Sequence, residues 1–522
     1  VTVERGGKYA LRFASAHHRV TVWVDGRRAG EHVGAYEAFA LSVALEPGRH
    51  RIVARVDWRD PEAQADAGYA RGWFNWGGLN GEVVLEHLAA VRLDRLQVRT
   101  EPIPGGAGAR VEILARLHKR GAARPITVTG RVGGRALRLA PVAGLGRGEA
   151  TTVRGELRVP PGALWSPDRP VLHDLELRAQ TGQCAARGSP AADRITRRVG
   201  FRHLAFDGGE LRINGEPVVL RGASLPPGVR GRGDGLRPRD MDALIADLRA
   251  VGANATRAQR PLSDALLRRL DAAGILLWQE VAPWEPAGAW SAETPQRRAR
   301  ATARVERTVA RMSAHPSVLT WSLSNEAPAH GAPGGQARWI AATARRLHKL
   351  DPTRPVAADL WGRDLPQQTG GLYAELDALG VTDYTGWYEE IDASSAEQEA
   401  TVRERLLAMR ALFPGKLVVV TEVGAESSAR NRPAEPGGLG FHADLLERRL
   451  GTYAGIDGLD GVLVWNLRDF ALRPDFRGGS IADAYPGREP TPGINAKGLF
   501  TLDREPKPAL RAVRERLARL AP

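Results

Sequence analysis

Apolar and polar positions alternate with a period of two along the first 90 residues. The segment "RVTVWVDGRRAGEHV" alternates on both sides of Asp25-Gly26, a dipeptide favoured in two-residue hairpin turns. The segment "RHRIVARVDW" repeats the alternation. Many short strands without a helical period are typical of a β-sandwich or jelly roll. We therefore predict an antiparallel β domain over residues 1–90.

A second stretch with the pattern of short strands covers residues 91–202. Its strands are predicted at "RVEILARLH", "ITVTGRV" and "LHDLELRAQ". The length of this stretch suits an immunoglobulin-like β-sandwich.

The pattern changes at about residue 203, where short apolar runs begin to alternate with amphipathic helices. The runs include "ILLWQEV", "SVLTWSLSN", "KLVVVTE" and "GVLVWN", and the helical segments include "RDMDALIADLRAVG" and "SDALLRRLDAAG". Strands that are apolar on both faces, each followed by a helix, are typical of a parallel sheet. Roughly eight such units in about 320 residues predict a (β/α)8 barrel. The predicted fold is therefore multidomain, with two β domains followed by a barrel over 203–522.

Composition indicates a soluble globular protein, because 43% of the residues are hydrophobic and 26% are charged. The net charge of +14 raises the question of a nucleic-acid or acidic-polymer partner. The arginines, however, are spread through every segment, without a basic arm or a zinc-finger spacing. We therefore expect a solvated basic surface and no nucleic-acid partner. An acidic substrate stays compatible with this charge.

No run of 18 apolar residues occurs, which predicts no transmembrane helix and no membrane partner. The chain opens on Val1 without a signal-peptide pattern, so the compartment stays open between the cytoplasm and secretion with a leader that this chain does not contain. The single Cys184 excludes an internal disulfide, and we do not expect it to be catalytic. The sequence has no metal-ligand cluster or nucleotide-binding loop, and we expect no cofactor.

Two predicted barrel strands end in a glutamate. "VLTWSLSNE" stops at Asn325-Glu326, and "LVVVTE" stops at Glu422. In barrels of this type the chemistry takes place where the strands end at the C-terminal face. Two carboxylates that face each other there can hydrolyse a glycoside, with retention of configuration if they lie about 5–5.5 Å apart. Either glutamate alone could simply pair with an arginine, but two of them at strand ends favour catalysis.

Several segments resemble glycoside hydrolase family 2, and the resemblance extends over nearly the whole chain. "HPSVLTWSLSNE" (315–326) resembles the acid/base segment of the family, and "VVVTEVGAES" (418–427) resembles its nucleophile strand. The segments that resemble its jelly roll, its immunoglobulin-like domain and the entry to its barrel are "GAYEAFALSVAL", "WFNWGGLNGEVVLE", "LWSPDRPVLHDLEL", "VGFRHLAF", "LRINGEPVVLRGAS" and "GANATR". By this resemblance the first strands of the jelly roll are missing.

The resemblance implies a retaining glycosidase in which Glu326 is the general acid/base and Glu422 is the nucleophile. Asn325 would donate a hydrogen bond to the 2-hydroxyl of the sugar. Tyr384, in "DYTGWY", would position the nucleophile. The other substrate-binding residues implied are Tyr388, Arg257 and Trp465, the last as a floor for the sugar ring.

The segment "INAKGLFTLDREPKPAL" (494–510) resembles the uronidase branch of the family, chiefly β-glucuronidases. Asn495 and Lys497 carry an amide and an ammonium that can both donate to one carboxylate. A neutral hexose offers nothing to compensate the ammonium charge, so the pair predicts selection of sugars with an acid at C6. The alternative interpretation is a surface lysine in a loop.

The chain departs from the family pattern at three strand ends. "GASLPPGVRG" stands where the family has a His-Glu-Asp-like triplet, and "RAQRPLSD" stands where it has a His-Tyr-Pro-like triplet. The second segment contains Gln259 and Arg260, an additional cation that could meet an acidic group. Thr382 and Asp383 replace an asparagine and an arginine. These changes leave the two-glutamate chemistry intact but leave the sugar open between glucuronic, galacturonic and modified uronic acids.

Three functions stay compatible with the sequence. The first is a retaining exo-β-glycosidase that acts on an acidic glycoside. The second is an enzyme of the same family that acts on a neutral β-galactoside or β-mannoside, and the variant Lys497→Ala separates these two. The third is a carbohydrate-binding relative without turnover, which the missing triplets favour and the two glutamates oppose. The sequence leaves open the aglycone, a polymeric or small substrate, and whether the chain forms a homo-oligomer.

Overall fold

The computed structural model describes residues 1–60, 63–64, 76–120, 125–142, 144–181, 192–206, 208–282, 294–328, 334–473, 485, 488 and 491–520. Cys184 and the first three residues of the segment 73–86 lie outside these ranges. Of the helices in the described ranges, none has both the length and the apolar character needed to cross a membrane.

The first described strands form small antiparallel sheets with the orders β5-β2-β8, β4-β3-β7 and β1-β6. Their bounds are β1 Thr2–Val3, β2 Gly7–Phe13, β3 His18–Val24, β4 Arg27–Gly34, β5 Phe39–Leu45, β6 Gly48–Arg49, β7 Ile52–Asp57 and β8 Val83–His87. The predicted hairpin is confirmed, because Asp25 and Gly26 connect β3 to β4 with φ values of 48° and 80°. Such left-handed values are those that a type I′ turn requires.

Two four-stranded antiparallel sheets follow, with the orders β13-β14-β10-β9 and β12-β11-β15-β16. Their bounds are β9 Val91–Pro102, β10 Ala109–Lys119, β11 Ile126–Val132, β12 Arg135–Ala136, β13 Arg138–Leu139, β14 Ala150–Val159, β15 His173–Thr181 and β16 Ala192–Val199. Inward residues of both sheets, among them Val111 and Leu177, pack into one core. A small antiparallel sheet of β17 Leu204–Ala205, β18 Arg212–Ile213 and β19 Glu216–Pro217 then leads to the last part of the chain.

Within the described residues, eight parallel strands close into a barrel, with β20 paired to β28 and β23 paired to β25. They are β20 Leu220–Ala223, β21 Ala255–Ala258, β22 Leu276–Glu280, β23 Val318–Ser322, β25 Val356–Trp361, β26 Ala378–Asp383, β27 Leu417–Val423 and β28 Gly461–Val464. The short strands are β24 Ala327–Pro328, β29 Phe470–Ala471 and β30 Ile494–Asn495. The α-helices among these elements are α1 Pro238–Val251, α2 Asp264–Ala273, α3 Pro295–Met312, α4 Gly334–Leu350, α5 Ser395–Leu412, α6 Leu439–Ala454 and α7 Ala509–Leu517. The predicted barrel after antiparallel β structure is confirmed.

The barrel strands are buried on both faces, as their apolar runs predict. Alternate residues such as Leu276 and Ala357 fill the barrel interior, and residues between them such as Leu277 pack beneath the helices. Further along the same strands, toward the C-terminal ends, the inward positions are taken by buried charged side chains such as Glu280 and Asp359. This polar layer is the floor of the site described next.

Candidate active site

Glu326 lies just after the fourth barrel strand. The prediction that this strand runs on to Glu326 was wrong, because β23 ends at Ser322 and Glu326 lies in a bend before β24. The backbone of Glu326 has a φ of 46°. This left-handed conformation is incompatible with an extended strand, and it is uncommon outside glycine and often found at functional sites.

Glu422 lies at the end of the seventh barrel strand, and an irregularity in the sheet turns it inward. Val418 and Val420 belong to the outer core beneath the helices, so strict alternation would place Glu422 outside as well. The pairing of β26 with β27 shifts register between Val381 and Thr382, and Thr382 then pairs with Glu422. Such a shift re-aims a side chain. The carboxylate of Glu422 therefore enters the polar layer of the barrel.

Three side chains hold the carboxylate of Glu422. Arg257 Nη1 and Gln259 Nε2 donate to its Oε1 over 2.5 Å and 2.9 Å, and Tyr384 Oη donates to its Oε2 over 2.7 Å. The carboxylate is 3% exposed, so these donors replace water in stabilising its negative charge. The arrangement fixes the orientation of a group that would attack along one direction.

Arg257 is fully buried among carboxylates. Its Nε lies 3.6 Å from Asp359 Oδ1, and its Nη2 lies 3.9 Å from Glu280 Oε2. Burial alone would lower the pKa of Arg257, but the charges of Asp359, Glu422 and Glu280 outweigh it and raise the pKa. One permanent cation therefore anchors the acidic floor of the site.

Glu326 has electrostatic surroundings different from those of Glu422. It keeps partial exposure at the mouth of the barrel. Desolvation by the surrounding protein and the negative charge of Glu422 raise the pKa of Glu326 well above its usual range, against the opposing effect of Arg257. A carboxylic acid that keeps its proton, close to the charge of a second carboxylate, is the arrangement of an acid and a nucleophile in glycoside hydrolysis.

Asn325 is oriented by two donors to the same atom. Arg257 Nη2 and Gln259 Nε2 donate to Asn325 Oδ1 over 2.7 Å and 2.9 Å. Because the oxygen is engaged by these donors, the amide NH2 of Asn325 is the group left to donate to a ligand.

Gln259 is a site residue that the sequence marked only as a departure from the family pattern. Its Nε2 atom bridges Asn325 and Glu422, a role that depends on the folded positions of three strand ends. No motif signals this role, because the three residues are far apart in the sequence.

We expect Gln259→Leu to lower kcat/KM by about ten-fold to a hundred-fold, because a hydrogen bond to a charged group contributes about 1.5–3 kcal/mol. Kinetics on one aryl glycoside would measure the loss. Gln259→Asn keeps the amide but shortens the side chain, so a smaller loss of kcat/KM there than in the leucine variant would identify the bridge. Wild-type kinetics in Gln259→Leu would contradict the assignment.

Lys497 is 2% exposed, so its interpretation as a surface lysine is wrong. Its Nζ lies 3.4 Å from Glu426 Oε1 and 5.1 Å from the ring centre of Tyr388. Burial alone would lower the pKa of Lys497, but Tyr388 and Glu426 outweigh it and raise the pKa. Asn495 Oδ1 accepts a hydrogen bond from the backbone N–H of Lys497 over 3.3 Å. Lys497 is therefore a buried cation, and the side chain of Asn495 packs back on its loop.

Two of the remaining predicted residues, Tyr384 and Tyr388, lie between these two groups. The rings of Tyr384 and Tyr388 are 5.0 Å apart, which joins the carboxylate site to the lysine site. Trp465 follows β28, its backbone N–H donates to Val423 O over 2.9 Å, and its ring meets Phe470 edge-on. The barrel end thus brings Glu326, Glu422, Asn325 and Arg257 together, with the tyrosines leading to Lys497.

The substituted strand ends contain internal ion pairs. Arg260 Nη2 lies 2.5 Å from Asp234 Oδ1, so the acidic group that it meets belongs to the protein itself. Tyr36 of the first β domain donates to Asp234 Oδ2 over 3.3 Å. Asp383 accepts from Arg405 over 2.8 Å and from Tyr453 over 2.5 Å behind the sixth strand. These groups support the walls of the site.

Comparisons with known proteins find similar sequences and structures. Residues 204–422 match the family model of the glycosyl hydrolases family 2, TIM barrel domain. A β-glucuronidase of Paenibacillus borealis is 27% identical, over 98% of this chain and 85% of its own length. The β-glucuronidase of Homo sapiens is 26% identical, over 98% of this chain and 79% of its own length.

Solved structures share the fold of the whole chain. A GH2 β-galacturonidase from Eisenbergiella tayi, bound to galacturonate, superposes with a TM-score of 0.86 at 22% identity, over 100% of this chain and 89% of its own. A β-glucuronidase of Bacteroides uniformis superposes with a TM-score of 0.80 at 22% identity, over 98% of this chain and 62% of its own. Fold, family match and relatives agree: the chain is a glycoside hydrolase, and its residues 204–422 match the TIM barrel domain of family 2.

Proposed function

We propose that this enzyme is a retaining exo-β-glycosidase that removes terminal β-linked uronic acid residues by a double displacement. The observation that carries the chemistry is the contrast between the two glutamates. Glu422 is held by three donors, and burial together with the charge of Glu422 raises the pKa of Glu326. One carboxyl group is thereby prepared to attack and the other to give a proton.

In the first step Glu422 attacks the anomeric carbon of the sugar, while Glu326 donates its proton to the glycosidic oxygen and the aglycone leaves. The product of this step is a glycosyl ester on Glu422. In the second step Glu326, now a carboxylate, takes a proton from a water that attacks the same carbon and releases Glu422. Asn325, with its oxygen held by two donors, offers its NH2 to the sugar 2-hydroxyl.

The buried ammonium of Lys497 supports the choice of an acidic sugar. Lys497 is 2% exposed and lies next to Tyr388, whose ring in turn contacts Tyr384. Its ammonium therefore provides a positive charge beside the position of the sugar. A carboxylate at C6 would add a charge-assisted hydrogen bond there. The names of the relatives, β-glucuronidases and a β-galacturonidase, fit the same substrate class.

A panel of 4-nitrophenyl β-glycosides tests this function directly. We expect turnover of the glucuronide or the galacturonide to exceed that of the galactoside and the mannoside. The reverse order would replace the uronide with a neutral sugar. No turnover of any member, with sugars still bound, would indicate a carbohydrate-binding relative instead.

The pH dependence of kcat/KM should be limited on the alkaline side by Glu326. Because the group must be protonated to act and its pKa is raised, the active form persists above the usual range of a carboxyl group. Activity should then fall as the pH rises through that raised pKa. In Glu326→Gln the alkaline limb should disappear for a substrate with an activated aryl leaving group. An unchanged limb in this variant would assign it to another residue.

A further inference from the structure

Trp361 is the last residue of the fifth barrel strand, and strand alternation places it at the mouth of the barrel. Ala357 belongs to the apolar layer inside the barrel, and Asp359, two residues on, lies 3.6 Å from Arg257. Trp361 follows after two further residues, so it occupies the next layer outward on the same face. It is partly exposed there, whereas the preceding strand residues are buried.

Trp361 lies between the acid/base segment and the residue that holds the nucleophile. On one side it pairs with Pro328, two residues after Glu326. On the other side its ring stacks on Tyr384, with centres 6.2 Å apart and planes inclined by 30°. One neighbour closely follows the acid/base segment, and the other donates a hydrogen bond to the proposed nucleophile.

The backbone at this position is fixed. A Cβ atom on Gly362 would lie 1.8 Å from Thr382 O, so only glycine allows the fifth strand to approach the sixth this closely. The hydroxyl of Thr382 also accepts from the N–H of Gly362 over 3.2 Å. The backbone position of Trp361 is therefore fixed, as a preformed binding surface requires.

The indole of Trp361 differs from the indoles in the barrel core. Trp278 and Trp321 donate their N–H groups to Asp359 and Asp351, both over 3.1 Å. Within the described part of the chain, the indole N–H of Trp361 forms no hydrogen bond. It is also not one of the buried polar groups without a partner, so it is accessible to solvent. A large flat ring with an accessible edge, at the mouth of a site, is typical of ligand contact.

We infer that Trp361 forms the aromatic wall of the subsite for the aglycone, and that this subsite favours flat, apolar leaving groups. This inference rests on the proposed function, in which Glu326 protonates the glycosidic oxygen. The leaving group must then extend from the sugar on the side of Glu326, where Trp361 lies. The sugar itself lies deeper, over Glu422.

The test compares two substrates with the same sugar, 4-methylumbelliferyl β-glucuronide and β-glucuronyl fluoride, on wild type and Trp361→Ala. Both leaving groups are activated, but only the first presents an aromatic surface. We expect kcat/KM to fall about ten-fold for the aryl substrate, a typical effect of losing one aromatic contact with its buried area. The fluoride should change by less than about two-fold, and Trp361→Phe should restore most of the aryl activity. Trp58→Ala, which removes a 44% exposed tryptophan of the first β domain, is the matched control and should behave as wild type.

Equal losses on both substrates would overturn the inference, because Trp361 would then only support Tyr384 and Glu422. If the wild type hydrolyses neither uronide, the proposed uronide specificity fails separately. The same ratio is then measured with 4-methylumbelliferyl β-galactoside and β-galactosyl fluoride. A selective loss of the aryl galactoside would support the subsite, and an equal loss would overturn it.

Discussion

Replacing Glu422 with alanine is expected to lower kcat by about 10⁴-fold or more, the scale of losing a nucleophile from a site whose groups act as a unit. Without this carboxylate no glycosyl ester can form. The cavity left by the side chain should admit azide, which can attack the anomeric carbon directly. Because one displacement then replaces two, the product should be a glycosyl azide of inverted configuration.

The rescue identifies the role of Glu422 more sharply than the loss of activity does. Azide should restore turnover in Glu422→Ala and should not change the anomeric outcome in Glu326→Ala. Glu435→Ala is a matched control, because Glu435 lies in the loop that follows the strand of Glu422 and forms ion pairs with Arg432 and Arg488. If the azide product of Glu422→Ala had retained configuration, the roles assigned to Glu422 and Glu326 would have to be exchanged.

The parallel barrel was predictable because each strand is apolar on both faces and each is followed by a helix. Glu326 and Glu422 stood out for a related reason, since an apolar run that leads to a carboxylate has few structural uses, but Glu326 lies four residues beyond the end of its strand. The inward turn of Glu422 was not predictable, because it depends on a register shift opposite Thr382. Period-two reasoning alone would place that side chain among the helices.

Helix α5 shows a second limit of pattern reasoning. Its buried face contains Gln398 and Arg405 besides apolar residues, so the sequence lacks a clean apolar stripe. Both polar residues find partners only in the folded protein, where Gln398 donates to Glu390 O over 2.9 Å and Arg405 pairs with Asp383. The partners come from the sixth strand end and the loop after it. Pattern analysis that treats one segment at a time cannot identify these partners.

Removing the ammonium of Lys497 is expected to reduce kcat/KM for the uronide by one to two decades. The lost bond to a substrate carboxylate is a charge-assisted one, which contributes about 1.5–3 kcal/mol, and each decade corresponds to about 1.4 kcal/mol. The matching neutral glycoside has no carboxylate to lose, so its kcat/KM should be unchanged or slightly higher. Comparing a uronide with its neutral hexoside on wild type and Lys497→Ala measures this difference.

The ion pair with Glu426 decides how this experiment must be designed. Lys497→Ala leaves the carboxylate of Glu426, which is 4% exposed, without the cation that lies 3.4 Å away in the wild type. Breaking a buried pair on one side costs about 3–5 kcal/mol of stability, so the single variant is expected to unfold more easily. Lys497→Met with Glu426→Gln removes both charges and keeps the volume. In this double variant the uronide should still lose one to two decades while the neutral glycoside is hydrolysed as by the wild type. Equal losses on both substrates would mean that Lys497 only holds its loop in place, and the specificity for an acidic sugar would have to come from another residue.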